Sequence, residues 1–153
     1  MPNTFQLQPL VHLAKQKNDA ATKKLGVLNR NQHSAQSKLD MLYQYRKDYQ
    51  EKLQLAEKSG MELHDLLNFQ DFLYRLDEAI TQQNEVVAQT QRSVQLGLGE
   101  LTETQRRMKS FETLAKRHSE TVRQIEAKIE QKIQDEHSAR RAAYKNIEQN
   151  EEN

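Results

Sequence analysis

Cysteine is absent from the 153-residue sequence, which excludes disulfides and thiolate metal sites and fits a reducing compartment. Proline occurs only at Pro2 and Pro9, and glycine four times, so residues that interrupt helices are nearly missing. No apolar run approaches the ~20 residues needed to cross a bilayer, and no signal-peptide core is present. Hydrophobic residues make up 35%, below the roughly 45–50% usual for a globular domain, so a thick core is excluded. Catalytic signatures are also missing: there is no glycine-rich phosphate loop and no nucleophile elbow. The histidines (His12, His33, His64, His118 and His137) never fall into a metal-ligand spacing. Carboxylates are many, but helix faces in water give them no cleft that would perturb their acidity. The sequence therefore predicts a cytoplasmic protein with no enzymatic activity, no cofactor and no metal.

What the sequence does hold is charge, at 29% of residues, and heptad periodicity. The net charge of +1 hides an uneven distribution. Residues 1–38 carry six basic groups against Asp19 alone, residues 39–103 carry six basic and twelve acidic groups, and residues 104–153 carry eleven basic and nine acidic. The middle is acidic and both ends are basic. The basic cluster of Arg140, Arg141 and Lys145 and the early lysines are able to meet phosphate. Acids interleave with that cluster and no base-reading module is evident, so a solvated helix face is expected and no nucleic-acid partner.

Steps of alternating four and three residues from Leu7 pass through Val11, Ala14, Asn18, Ala21, Leu25, Leu28, Gln32, Ala35, Leu39, Leu42, Arg46, Tyr49, Leu53 and Ala56. Twelve of these fifteen positions are apolar, and an unslipped 3.5-residue step predicts a left-handed coiled coil. The exceptions, Asn18, Gln32 and Arg46, recur every fourteen residues and read as polar seam positions that fix register. A second frame runs from Leu66 through Phe69, Leu73, Leu76, Ile80, Gln83, Val87, Thr90, Val94, Gly97, Leu101, Thr104, Met108, Phe111, Ala115, His118, Val122 and Ile125 to Ile129, and fades through Lys132 and Glu136. Gly97 and Gly99 inside this run predict a soft or bent point, with tight packing against small residues of the facing helix the preferred reason for them.

Between the frames, Ser59-Gly60 predicts a helix stop with glycine in the left-handed conformation. The expected fold is all-α: two long unequal helices in an antiparallel left-handed coiled-coil hairpin, forming a single domain. Helix one is expected over about 7–58, the turn over about 59–66 and helix two over about 67–147, with short disordered ends. Helix two then overhangs from about Ala115 onwards, and Val122, Ile125 and Ile129 keep a seam with nothing of this chain opposite, a candidate docking stripe.

Six of the nine aromatic residues fall between Tyr43 and Tyr74. Tyr49 and Phe69 fill seam positions; Tyr43, Tyr45, Phe72 and Tyr74 do not. Pairing Leu42 with Ala79, Tyr45 with Leu76 and Tyr49 with Phe72 keeps the sum of the two residue numbers constant, as an antiparallel turn near residue 60 requires. These two rows predict one aromatic and aliphatic patch suited to a protein partner. Asp40, Asp48, Asp71, Asp77 and Glu78 would rim it with acid. Rings that only thicken a thin core near a weak turn are the alternative.

The residues also resemble a known family. Phe5, Leu7, Leu10, Leu13 and Ala14, then Ala20-Ala21 and Leu25-Gly26, look like the opening of the FliJ family of flagellar export proteins. More specific are Leu39, Met41, Leu42, Tyr45 and Tyr49 before the turn, and Asn68-Phe69-Gln70-Asp71-Phe72, Leu76-Asp77, Ala79-Ile80 and Gln82-Gln83 after it. The resemblance implies a stalk similar to that of rotary ATPases. Its expected partners are the hexameric flagellar export ATPase, the cytoplasmic domain of the export-gate membrane protein, and export chaperones. Membrane association would be peripheral and through partners only. It implies gate binding by Leu42, Tyr45, Tyr49, Phe72, Leu76 and Ala79. Lys38 stands where a Gln-like polar residue is called for, and Gln83 closes the row. ATPase binding is expected from Arg117, Val122, Arg123, Ile125, Ile129, Arg140 and Arg141. The stalk of a virulence-type secretion injectisome and a generic coiled-coil scaffold remain as alternatives.

Overall fold

The computed structural model of the protein describes residues 5–152. Of the ends expected to be disordered, residues 1–4 and 153 lie outside those described, whereas residues 148–151 are helical. Two helices make up the fold: α1, Gln8–Lys58, and α2, Leu63–Glu151. The chain divides into two compact units, Gln16–Gln105 and Met1–Lys15 with Arg106–Asn153.

At the start of α1, Pro9 costs no hydrogen bond because first-turn amides have no intrahelical partner, while the Leu7 carbonyl accepts from both Leu10 (2.9 Å) and Val11 (3.0 Å). At its end, the Ser59 amide donates to Leu55 and the Gly60 amide to Glu57, with Gly60 at φ +82°. A residue with a Cβ is strained at that φ, so glycine ends the helix there. α2 begins at Leu63, earlier than the expected 67, and runs to Glu151 rather than 147. Nothing in Leu63-His64-Asp65-Leu66 resists helix, the Leu66 amide already reaches the Glu62 carbonyl at 3.1 Å, and Asp65 in the first turn complements the helix dipole.

In the Gln16–Gln105 unit the helices run antiparallel about this turn, and the predicted seam is the buried seam. Every predicted position of α1 from Asn18 to Ala56 and of α2 from Leu66 to Thr104 is buried or half-buried. Ala35, Leu39, Ile80 and Val87 form the tightest cluster, with Leu42 packed on it. A seam one side chain deep leaves no large side chain of the described residues fully enclosed.

Polar layers interrupt this apolar line. Thr104 Oγ1 lies 3.2 Å from Asn18 Oδ1. Gln32 is half-buried. Arg46 Nε sits 2.6 Å from Asp77 Oδ1, as an ion pair rather than an aligned hydrogen bond. Gln83 Nε2 donates across the seam to the Ala35 carbonyl at 2.9 Å. Each such group tolerates only one axial register, because a slip would set it against apolar neighbours.

The glycine pair resolves differently from expectation. α2 is continuous through both residues. Gly97 faces Leu25 and Leu28, not small residues: a Cβ there would stand 2.8 Å from Leu28 Cδ1 and 3.3 Å from Leu25 Cδ1. The missing Cβ makes the hole that receives two leucine tips. At Gly99 a Cβ would meet nothing.

In the second unit Val11 and Ala14 are buried, Met108, Phe111, Ala115, His118 and Val122 are half-buried, and the Phe5 ring lies 5.3 Å from that of His118. The seam thus reaches beyond Ala115, where it was expected to stop, because Phe5 supplies one more apolar group. From Arg123 to Glu152 every residue is exposed.

Candidate functional site

The aromatic rows before and after the turn come together in the Gln16–Gln105 unit. Tyr49 is a seam residue whose ring centroid lies 4.7 Å from Phe69 and 4.4 Å from Phe72, tilted by 39° and 40°. Rings tilted this far avoid the face-to-face sandwich that aromatic quadrupoles disfavour. Phe72 is held by this stack yet stays 43% exposed, and Tyr45 is 54% exposed. Together with Asp48, Tyr49 and Lys52 they line a shallow groove of about 410 Å³.

The other members of the predicted row serve the seam more than the surface. Leu76 is only 8% exposed, and Leu42 and Ala79 are half-buried. Gln83 is committed to the Ala35 carbonyl. The members of the row left exposed are Tyr45 and Phe72.

The acidic rim is partly neutralised. Asp77 is paired with Arg46, and Asp71 with Arg75 at 3.3 Å. Asp40 and Asp48 accept hydrogen bonds from Gln36 (3.0 Å) and Gln44 (2.9 Å), one turn earlier. The Glu78 carboxylate accepts a hydrogen bond from the Tyr74 phenol and adds its negative charge, which together raise the Tyr74 pKa above its ordinary value. The net field at this surface is weaker than the count of carboxylates suggests.

The second candidate surface lies on α2 past the seam. Val122 is half-buried, while Arg117, Arg123, Ile125, Ile129, Arg140 and Arg141 are exposed. Heptad spacing sets Val122, Ile125 and Ile129 on one face, and the four arginines fall outside that seam. Sequence reasoning missed Ile133, Tyr144 and Ile147, which are also exposed. The frame was carried on through Lys132, whereas the apolar residue follows Ile129 by four rather than three. Among the described residues, no group of three or more His, Cys, Asp or Glu converges to hold a metal ion. No helix of the described residues is long and apolar enough to cross a membrane.

A hairpin of this kind with these motifs finds its match among known proteins. The family model of the flagellar FliJ protein matches residues 3–146, nearly the whole chain. The chain belongs to the flagellar FliJ protein family. Relatives bearing that name in Escherichia coli (strain K12) and Salmonella typhi are each 30% identical over 139 residues, which is 91% of this chain and 95% of theirs. Among solved structures, a protein of Chlamydia trachomatis described as a YscO homologue, CT670, is similar with a TM-score of 0.60 at 20% identity. It covers 86% of this chain and 90% of its own, a likeness of fold. Family membership places this two-helix coiled coil among the flagellar export proteins.

Proposed function

We propose that this chain is a non-enzymatic stalk of the flagellar type III protein export apparatus, a single hairpin that links the hexameric export ATPase to the membrane export gate and engages export chaperones. It works in the cytoplasm, held peripherally at the inner face of the cell membrane at the flagellar base through its partners. The FliJ family match over residues 3–146 carries this reading. The cytoplasmic domain of the gate docks on Tyr45 and Phe72, supported by Leu42, Tyr49, Leu76 and Ala79. The ATPase binds α2 from the half-buried Val122 onward, through Val122, Ile125 and Ile129, with Arg117, Arg123, Arg140 and Arg141 supplying charge. In support, large aromatic residues stay exposed beside a groove in one unit, and in the other α2 continues helical with exposed Ile125 and Ile129.

The test is addition of the purified protein to its cognate export ATPase. Hexamerisation and faster hydrolysis are expected, and an ATPase indifferent to the protein overturns the reading. Two refinements address the surfaces. Tyr45→Ala with Phe72→Ala should abolish gate binding while helicity is retained, and intact binding removes that assignment. Truncation after Ala115 should weaken ATPase binding, and unaltered affinity rules out the α2 surface. An injectisome role has no observation of its own, since the likeness to the YscO homologue carries fold alone; motile cells after gene deletion would overturn the flagellar role.

A further inference from the structure

We propose that the last stretch of α2 docks, antiparallel, against the same stretch of a second copy of this chain, with Ile129, Ile133 and Ile147 at the contact. Every residue from Arg123 to Glu152 is exposed, yet α2 stays helical to Glu151. Ile129, Ile133 and Ile147 are each more than half exposed. Steps of four and three residues from Ile129 pass through Ile133, Glu136, Arg140 and Ala143 to Ile147. These positions form one seam of 3.5-residue period. Two successive steps of four, Ile125 to Ile129 to Ile133, set this frame off from the one that ends at Ile125, a stutter in the heptad pattern.

Two of the seam positions select the occupant. Glu136 and Arg140 carry opposite charges, and neither forms an ion pair among the described residues. A parallel second copy would set Glu136 against Glu136 and Arg140 against Arg140, pressing like charges into the seam. An antiparallel copy with Glu136 opposite Arg140 does the reverse. Two-fold symmetry then makes that carboxylate–guanidinium contact twice. The same register sets Ile133 opposite Ala143 and Ile129 opposite Ile147, so large side chains meet small or apolar ones in each layer.

The flanks agree with this register. Arg123 comes beside Glu151 of the second copy, and Glu130 beside the phenol of its Tyr144. Lys132 meets Asn146, while His137 and Ala139 each meet themselves near the axis without a fixed charge. No like charges stand directly opposite. An unrelated helix would need the same charges and side-chain sizes at the same spacing, whereas a second copy has them by construction. The pairing does not rest on the export reading. It competes with that reading at one residue, because Ile129 covered by Ile147 is closed to the ATPase; this competition does rest on the ATPase assignment.

Sedimentation equilibrium of the full chain alone tests the pairing. A monomer is expected at about 1 μM and a dimer at about 100 μM. Ile133→Asp with Ile147→Asp should weaken association at least about tenfold. Glu136→Arg should do the same, by setting arginine against Arg140 of the second copy, and adding Arg140→Glu to it should restore the dimer. That rescue separates charge-paired docking from loss of the helix. The chain has no cysteine, so a copy carrying Ile133→Cys and a copy carrying Ala143→Cys should cross-link when mixed and not alone. A monomer at every concentration, a dimer indifferent to the Ile133 and Ile147 changes, no rescue by the charge exchange, or cross-linking of either cysteine copy alone overturns the proposal. The Glu136→Arg chain keeps Ile125 and Ile129, and should bind the export ATPase at least as tightly as the unaltered chain. Weaker binding overturns the competition, and an ATPase that binds neither chain counts against the export reading while the pairing stands.

Discussion

Thr104 Oγ1 stands 3.2 Å from Asn18 Oδ1 and 2.9 Å from the Leu101 carbonyl, sharing one proton between its own helix and the facing one. The layer is half-buried, and Thr104 is the donor to Asn18 Oδ1 across the seam. Thr104→Val should cost about 1 kcal/mol, the usual penalty for stranding a partner. Asn18→Leu combined with Thr104→Val should recover that loss or exceed it, because an apolar pair suits the seam better. The double variant should also relax the register. Thermal melts measure the first effect, and disulfide trapping between cysteines placed across the seam measures the second.

Two glycines two residues apart should respond in opposite directions. Gly99→Ala adds a Cβ into open space within a helix and should stabilise by up to about 1 kcal/mol. Gly97→Val must displace the Leu25 and Leu28 tips and should destabilise by about 1–3 kcal/mol. Urea denaturation of the two variants makes the comparison, and equal effects would contradict the packing at Gly97.

The aromatic patch divides into structural and available residues. Tyr49 is stacked on two rings in the seam, so Tyr49→Ala should cost about 2 kcal/mol or more. Tyr45 is exposed, and Tyr45→Ala should change stability by no more than about 0.5 kcal/mol. Gate binding lost on Tyr49→Ala therefore says little by itself, whereas loss on Tyr45→Ala reports the surface. Parallel melts and pull-downs separate the two.

Tyr74 should lose its proton at higher pH than an ordinary phenol. The Glu78 carboxylate accepts the phenolic hydrogen bond and repels the phenolate, and both effects favour the protonated form. Glu78→Gln removes the charge and should lower the Tyr74 pKa toward its ordinary value. Carbon NMR of the Tyr74 ring across the alkaline range follows this titration directly. Because the side chain is solvent-exposed, the loss of fold stability that accompanies this titration as pH rises should be small.

The seam was legible because a 3.5-residue step admits one arrangement: the residues on it are the buried ones, from Asn18 to Ala56 and from Leu66 to Thr104. Gly60 was legible as a helix stop because only a left-handed φ gives an isolated glycine a reason to be there. The start of α2 was not, since Leu63-His64-Asp65-Leu66 carries no breaker and the choice rests on one carbonyl at Glu62. Gly97 was half legible: composition flags it, but the leucines that fill its place come from the facing helix and only register names them. At the candidate site, the heptad frames already set Leu76 in the seam and Tyr45 outside it, whereas the contact of Tyr49 with Phe69 and Phe72 depends on the pairing of the two helices. The arginine partners of Asp71 and Asp77 were likewise overlooked when the acids were read as a rim.

A seam in which no large side chain is fully enclosed has a consequence for how the hairpin comes apart. With no central nucleus, each layer leans only on the next, and loosening travels as a front instead of a collapse. Amide exchange along α1 should therefore form a slope. It should be slowest around Ala35 and Leu39, where the tightest cluster sits, and quicken residue by residue toward Lys58. Damage at any one layer stays local, and the layers beyond it keep their packing.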